Sequence, residues 1–213
     1  MKVGVLDYGV GNLGSVLEAV SMLRAESVAV TRALDVHGMD CLVLPGVGHF
    51  ADCRRLLDAG GWTDALRDAV LGRGRPLLGI CVGMQLLADS SDEGADANGG
   101  EPVPGLGLVP GRVRHLRSLG CELRTPHVGW NGITPEGVDP LLDGLGAGTD
   151  VYFVHSYALV ADDPADVIAT AEHGVRFAAA VRRSTVWGTQ FHPEKSSRAG
   201  LRVLANFLGC GAC

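Results

Sequence analysis

The segment Pro76-Leu77-Leu78-Gly79-Ile80-Cys81-Val82-Gly83-Met84-Gln85-Leu86-Leu87-Ala88 constrains this chain more than any other. An apolar run ends in a cysteine with glycine two residues to either side, and a helix-like stretch follows at once. The pattern predicts a strand, a sharp turn and a helix, the nucleophile elbow, with sulfur where a hydroxyl often stands. The glycines leave room for a turn that side chains would block. Such a turn lifts the thiol off the sheet onto the positive end of a helix, a placement that makes a thiol reactive.

The flanking sequence extends the alternation of strand and helix. Strand signals fall at residues 2–7, 27–31, 41–44 and 76–80. Between them lie a helical pattern of Leu13, Val16, Leu17, Val20 and Leu23 and a second helix at about 62–71. Asn12 is a cap candidate for the first of these. The fold class expected is α/β, an open, mostly parallel twisted sheet flanked by helices, with ligands at the carboxyl ends of the strands. Residues 89–104 are acidic, glycine-rich and without apolar periodicity, which predicts a surface loop. Shorter strands at 112–116, 151–154, 157–160, 167–171, 177–181 and 186–190 add antiparallel pieces to the second half. A closing helix at 200–208 has Leu201, Leu204, Ala205 and Leu208 on one face. No repeat or linker divides the 213 residues, and a 46% hydrophobic content suits one core, so residues 1–213 read as a single domain.

The net charge of -6 argues against nucleic acid or an anionic membrane surface as partner, since both need a basic face. No apolar run reaches the roughly 18 residues of a membrane span. The start, Met1-Lys2-Val3-Gly4-Val5-Leu6-Asp7, meets a charge too soon for a signal-peptide core, so a cytoplasmic protein is expected. In that compartment the six cysteines stay reduced, and Cys41 and Cys53, among apolar neighbours, read as packed thiols. Cys210-Gly211-Ala212-Cys213 spells C-x-x-C but lacks a second ligand pair, and neither a metal nor a cofactor is expected.

Far downstream, Gln190-Phe191-His192-Pro193-Glu194 offers an imidazole and, two residues on, a carboxylate. On an extended segment both side chains would point the same way. Cys81, His192 and Glu194 then have the parts of a triad: nucleophile, general base and acid, and the carboxylate that orients the imidazole. Taken singly, each has an ordinary reading as a packed thiol, a core or surface histidine and an exposed charge. It is their coincidence that favours catalysis. Thiolate attack on an amide or ester makes an oxyanion that needs pre-placed N–H donors. The amide of Val82 is one candidate. The segment Pro45-Gly46-Val47-Gly48 either supplies the other, through Gly46, Val47 or Gly48, or is an ordinary strand-terminating turn. Gln85, four residues after Cys81, either meets a polar substrate or stays solvated. Asp7-Tyr8-Gly9-Val10-Gly11-Asn12 lacks both G-x-G-x-x-G and a Walker lysine, so it is a weak phosphate-loop match.

With these residues in view the chain resembles the class I (triad) glutamine amidotransferases, and within them it is similar to the glutaminase subunits of imidazole glycerol phosphate synthases. The resemblance is carried by Asp7-Tyr8-Gly9-Val10-Gly11-Asn12-Leu13, Pro45-Gly46-Val47-Gly48-His49-Phe50, the elbow, Pro126-His127-Val128-Gly129-Trp130-Asn131, Tyr152-Phe153-Val154-His155-Ser156-Tyr157 and Gln190-Phe191-His192-Pro193-Glu194-Lys195-Ser196. The elbow and His-Pro-Glu mark the class, and the Pro126 and Tyr152 motifs mark the narrower group. Val82 stands where the family usually has leucine, which leaves the backbone donor intact.

The resemblance implies that Cys81 attacks the side-chain amide of L-glutamine, that His192 protonates the departing ammonia, and that water releases glutamate from the thioester. It further implies substrate contacts from His155, Ser156 and Tyr157. A separate (β/α)8-barrel cyclase subunit is the implied partner in a heterodimer. There the ammonia would join a ribotide to give imidazole glycerol phosphate and aminoimidazole carboxamide ribotide in L-histidine biosynthesis. Glutaminase activity would be weak until that partner and its ligand are bound. The alternatives are a paralogue feeding ammonia to a different synthase, a cysteine hydrolase of similar fold, or a noncatalytic binding protein on the same scaffold.

Overall fold

Residues 1–210 are described by the computed structural model, and the expected alternation opens the chain. Its first half runs β1 (Lys2–Leu6), α1 (Leu13–Met22), β2 (Glu26–Val30), β3 (Cys41–Gly46), α2 (Phe50–Ala59), α3 (Trp62–Arg67), β4 (Leu77–Cys81) and α4 (Val82–Leu86). Short strands follow: β5 (Ser90–Ser91), β6 (Val103–Pro104), β7 (Gly111–His115), β8 (His127–Pro135), β9 (Thr149–His155) and β10 (Tyr157–Ala161). The last are β11 (Val167–Glu172), β12 (Arg176–Arg183) and β13 (Val186–Thr189), before α5 (Ser197–Cys210).

Nine strands form one sheet in the order β2-β1-β3-β4-β13-β12-β11-β8-β9, and four form a second in the order β10-β7-β5-β6. The first five of the large sheet are mutually parallel. The other four continue it antiparallel. Strands β3 and β4 are buried along their whole length, which is why they read as unbroken apolar runs rather than alternating ones. The α/β class with a parallel core and antiparallel additions is what the sequence led us to expect. Helix α1 packs with α5, and α2 with α3 and α4. No helix among the described residues is long and apolar enough to cross a membrane.

Several details differ from expectation. Helix α2 was not foreseen, although Phe50, Cys53 and Leu57 bury one face at helical spacing. The helix expected at 62–71 is α-helical only through Arg67 and then widens into a π turn at Asp68–Gly72. Asn12 occupies the cap position of α1, but with φ -87° and ψ 62° its side chain makes no capping bond among the described residues. Residues 89–104 are not simply a surface loop, because β5 and β6 pair there and Ser91 is fully buried. Strand β8 was also missed. Helix α5 buries Gly200, Val203, Leu204, Phe207 and Leu208, a face turned away from the expected Leu201 and Ala205. The cause is Gly200: a Cβ there would lie 1.8 Å from the Pro193 carbonyl oxygen, so the helix sits down on the chain at that point. Of the C-x-x-C pair, Cys210 ends α5 and Cys213 lies outside the described residues.

What positions the site is the neighbourhood of β3, β4 and β13. These three are adjacent and parallel, with Gly46 opposite Cys81 and Thr189 opposite Ile80. Their carboxyl ends therefore share one edge of the sheet, where α/β folds bind ligands.

Candidate active site

Strand β4 stops at Cys81 and α4 begins at Val82, so the elbow expected from the glycine pair is formed. Cys81 has φ 56° and ψ -111°, a conformation that non-glycine residues avoid and that persists only when its surroundings enforce it. The enforcement is visible at Gly83, where a Cβ would stand 1.8 Å from the Leu44 carbonyl oxygen. The first turn of α4 is thus pressed onto β3. The Cys81 thiol donates to the Val154 carbonyl at 3.7 Å, and Gln190 Nε2 donates to the sulfur at 3.8 Å.

His192 and Glu194 meet, though not on an extended segment. Strand β13 ends at Thr189, and Pro193–Lys195 is a 3-10 turn, for which proline at the first position is pre-set. The turn brings Glu194 Oε1 within 2.7 Å of His192 Nδ1, both side chains 1% exposed. The His192 amide donates to Tyr152 O at 2.9 Å, and Ser196 Oγ donates to His192 O at 2.6 Å, which ties the turn to β9. His192 Nε2 makes no hydrogen bond to any described residue. Burial pulls this imidazole down, but the nearby Cys81 sulfur and the Glu194 carboxylate outweigh it and raise the pKa to about 9. The sulfur therefore acts on the imidazole although the geometry gives Nε2 no hydrogen bond.

Cys81 and His192 open into a cavity of about 150 Å³ that Val47, Gly48, Val82, Gln85, His155, Ser156 and Tyr157 also line. Gly46 does not line it; as the last residue of β3 it is buried beside Cys81 in the ladder. Gln85 is 2% exposed rather than solvated, and its amide group donates to Tyr157 O at 2.9 Å and Gln190 Oε1 at 3.0 Å. Sequence reasoning missed Val154 and Glu93 in the lining. Glu93 comes from the segment read as a surface loop; it accepts the Phe50 amide at 2.8 Å, and burial raises its carboxyl pKa. A larger cavity of about 940 Å³ lies beside Ser184 and Thr185, at the opposite end of β13, and no histidine among the described residues lines it. Of the two, Cys81 and His192 line the smaller.

The Pro126 motif stands behind the cavity. His155 Nδ1 donates to Tyr157 O at 2.8 Å, so its Nε2 accepts from His127 Nδ1 at 3.1 Å, and His127 Nε2 accepts from Asn131 at 3.3 Å. Burial lowers His155 to about 3 and His127 to about 4, which keeps both neutral, and the Tyr157 carbonyl, which can only accept, sets the tautomers. The alternate residues of β8, Val128 and Trp130, point outward, 57% and 52% exposed. No group of His, Cys, Asp and Glu suited to a metal ion occurs among the described residues.

A thiol on a strained elbow, beside a buried imidazole held by a carboxylate, is equipped for nucleophilic attack on a carbonyl carbon. Imidazole glycerol phosphate synthase subunit HisH of Brucella suis is 45% identical over 98% of this chain and 98% of its own. The subunit of the same name from Rhodospirillum rubrum is 46% identical over the same shares. A solved structure described as a glutamine amidotransferase superposes with a TM-score of 0.76 over 99% of both chains at 23% identity, a likeness of fold. The family model for glutamine amidotransferase class-I matches residues 5–209, and the chain belongs to that family.

Proposed function

We propose that this chain is the glutaminase subunit of an imidazole glycerol phosphate synthase, with Cys81, His192 and Glu194 as its catalytic triad. The observation that carries the catalytic reading is the buried His192–Glu194 pair, whose remaining nitrogen has no partner among the described residues and sits with the elbow sulfur in one small cavity. Identity of 45% and 46% to subunits of that name, over nearly their full length, supports the choice of synthase.

In this reading the Cys81 proton rests on His192 Nε2, as the raised pKa of that imidazole favours, and the sulfur attacks the side-chain amide carbon of glutamine. The carbonyl π pair moves onto oxygen, and the oxyanion is met by the amide of Val82 and by N–H groups of Val47 and Gly48. Collapse breaks the C–N bond, and His192 returns the proton to the leaving nitrogen, releasing ammonia. Water, deprotonated by His192, then attacks the thioester, and glutamate leaves as the Cys81 thiol reforms. Glu194 holds the imidazole tautomer and supports its charge. Glu93 offers the substrate ammonium a carboxylate inside the cavity. The ammonia passes to a (β/α)8-barrel cyclase subunit, in the cytoplasm. Exposed Val128 and Trp130 suit that contact, since Trp130 touches Tyr152, whose carbonyl holds the His192 amide.

The test mixes the chain with a histidine-pathway cyclase subunit and its ribotide substrate, supplies glutamine without ammonium, and follows imidazole glycerol phosphate. Product is expected, and a folded complex that makes none would reject the synthase assignment. Cys81→Ser is expected to abolish glutamine-driven turnover and leave ammonium-driven turnover intact. Retained glutaminase activity would reject the triad.

A further inference from the structure

The segment Asp7-Tyr8-Gly9-Val10-Gly11-Asn12, a poor phosphate loop, lies against the strand end that borders Cys81. The pairing of β1 with β3 ends at Val5 opposite Val43, so the Pro45 carbonyl lies beyond that ladder. Tyr8 reaches across and donates its hydroxyl to Pro45 O at 2.9 Å, with Tyr8 5% exposed. Two residues on, the Cys53 thiol, from α2 and 1% exposed, donates to Val47 O at 3.5 Å. Tyr8 and Cys53 also interact with each other.

We propose that Tyr8 and Cys53 are positioning residues for the reaction at Cys81, which hold the backbone that supplies oxyanion donors. A peptide unit is rigid and planar, so fixing a carbonyl fixes the N–H that follows it. The Val47 carbonyl shares its plane with the Gly48 amide, and Gly48 lines the cavity. The Pro45 carbonyl shares its plane with the Gly46 amide, opposite Cys81 in the ladder. The peptide between them, which carries the Val47 N–H, is thus held at both ends. Burial raises Tyr8 well above its ordinary value and Cys53 to about 11, so at neutral pH both keep the proton that they donate. Donors that stabilise an oxyanion must be placed before charge develops, and small displacements are costly in rate.

This inference rests on Cys81 attacking glutamine, and its test separates the two. Glutamine hydrolysis by the full chain with the cyclase subunit and its ribotide is compared with alkylation of Cys81 by iodoacetamide, read by peptide mass spectrometry. Alkylation displaces iodide at a saturated carbon and forms no oxyanion. Tyr8→Phe and Cys53→Ala are each expected to lower kcat about 10-fold, with KM and the alkylation rate within about 2-fold. Cys53→Ser, which keeps a donor, is expected to recover most of the loss seen in Cys53→Ala. Unchanged kcat in Tyr8→Phe and Cys53→Ala, alkylation that falls in step with kcat, or no recovery in Cys53→Ser would each overturn the inference. A wild-type chain that alkylates but leaves glutamine intact would overturn the reading of the site as well.

Discussion

At His192 burial favours the neutral ring, while the Cys81 sulfur and the Glu194 carboxylate favour the charged one and prevail, so the pKa rises from 6.5 to about 9. Between those values the native chain holds a proton that the unfolded chain releases. The stabilisation is complete below pH 6.5 and is lost as pH rises through about 9. Urea titrations should therefore show the wild-type midpoint falling across that window and a flatter profile in Glu194→Gln. Equal slopes would remove Glu194 as a cause. Cys81, His192 and Glu194 were legible in the sequence because their side-chain types and local spacings are themselves chemical statements. Glu93 was not, since one acid in an acidic, glycine-rich stretch carries no local signal. Its place depends on the amide of Phe50, 43 residues earlier.

Among the elements, the elbow is the one whose geometry leaves least freedom. At Gly83 an added Cβ would meet the backbone oxygen of Leu44 at 1.8 Å, and neither α4 nor the fully buried β3 has room to yield. Gly83→Ala should cost about 1–3 kcal/mol or more in a urea denaturation experiment, as overpacked cores do. A loss under about 0.5 kcal/mol would mean that α4 lifts freely, against the close packing described. The same packing explains which elements could be read in advance. Parallel strands buried on both faces leave continuous apolar runs, and β3 and β4 were found that way. Strand β8 was missed because Gly129, Gly132 and Pro135 interrupt its pattern; it is a strand because β9 and β11 pair with it on either side. The His192 segment shows a different failure. The two side chains meet as expected, but through a 3-10 turn, since Pro193 supplies no amide for a ladder.

For the molecule as a whole, the outward face of β8 leaves a large aromatic in water, and Trp130 at the centre of an interface would act as an anchor. Trp130→Ala should weaken binding of the cyclase subunit by about 30-fold or more in calorimetric titration. Its stability should stay within about 0.5 kcal/mol of wild type, as for other exposed substitutions. Unchanged affinity would place the partner on another face. Local patterns were enough to establish that the chain alternates strand and helix, that its parallel core is apolar, and that a thiol stands on a tight turn before a helix. These are properties of neighbouring residues, expressed through periodicity and glycine spacing. It takes the folded sheet to set β13 beside β4, bringing His192 to Cys81, and to gather Tyr8, Cys53 and Glu93 around the same strand end. Such meetings join residues far apart in the chain, and they follow from the order of strands in the sheet, which no local pattern encodes.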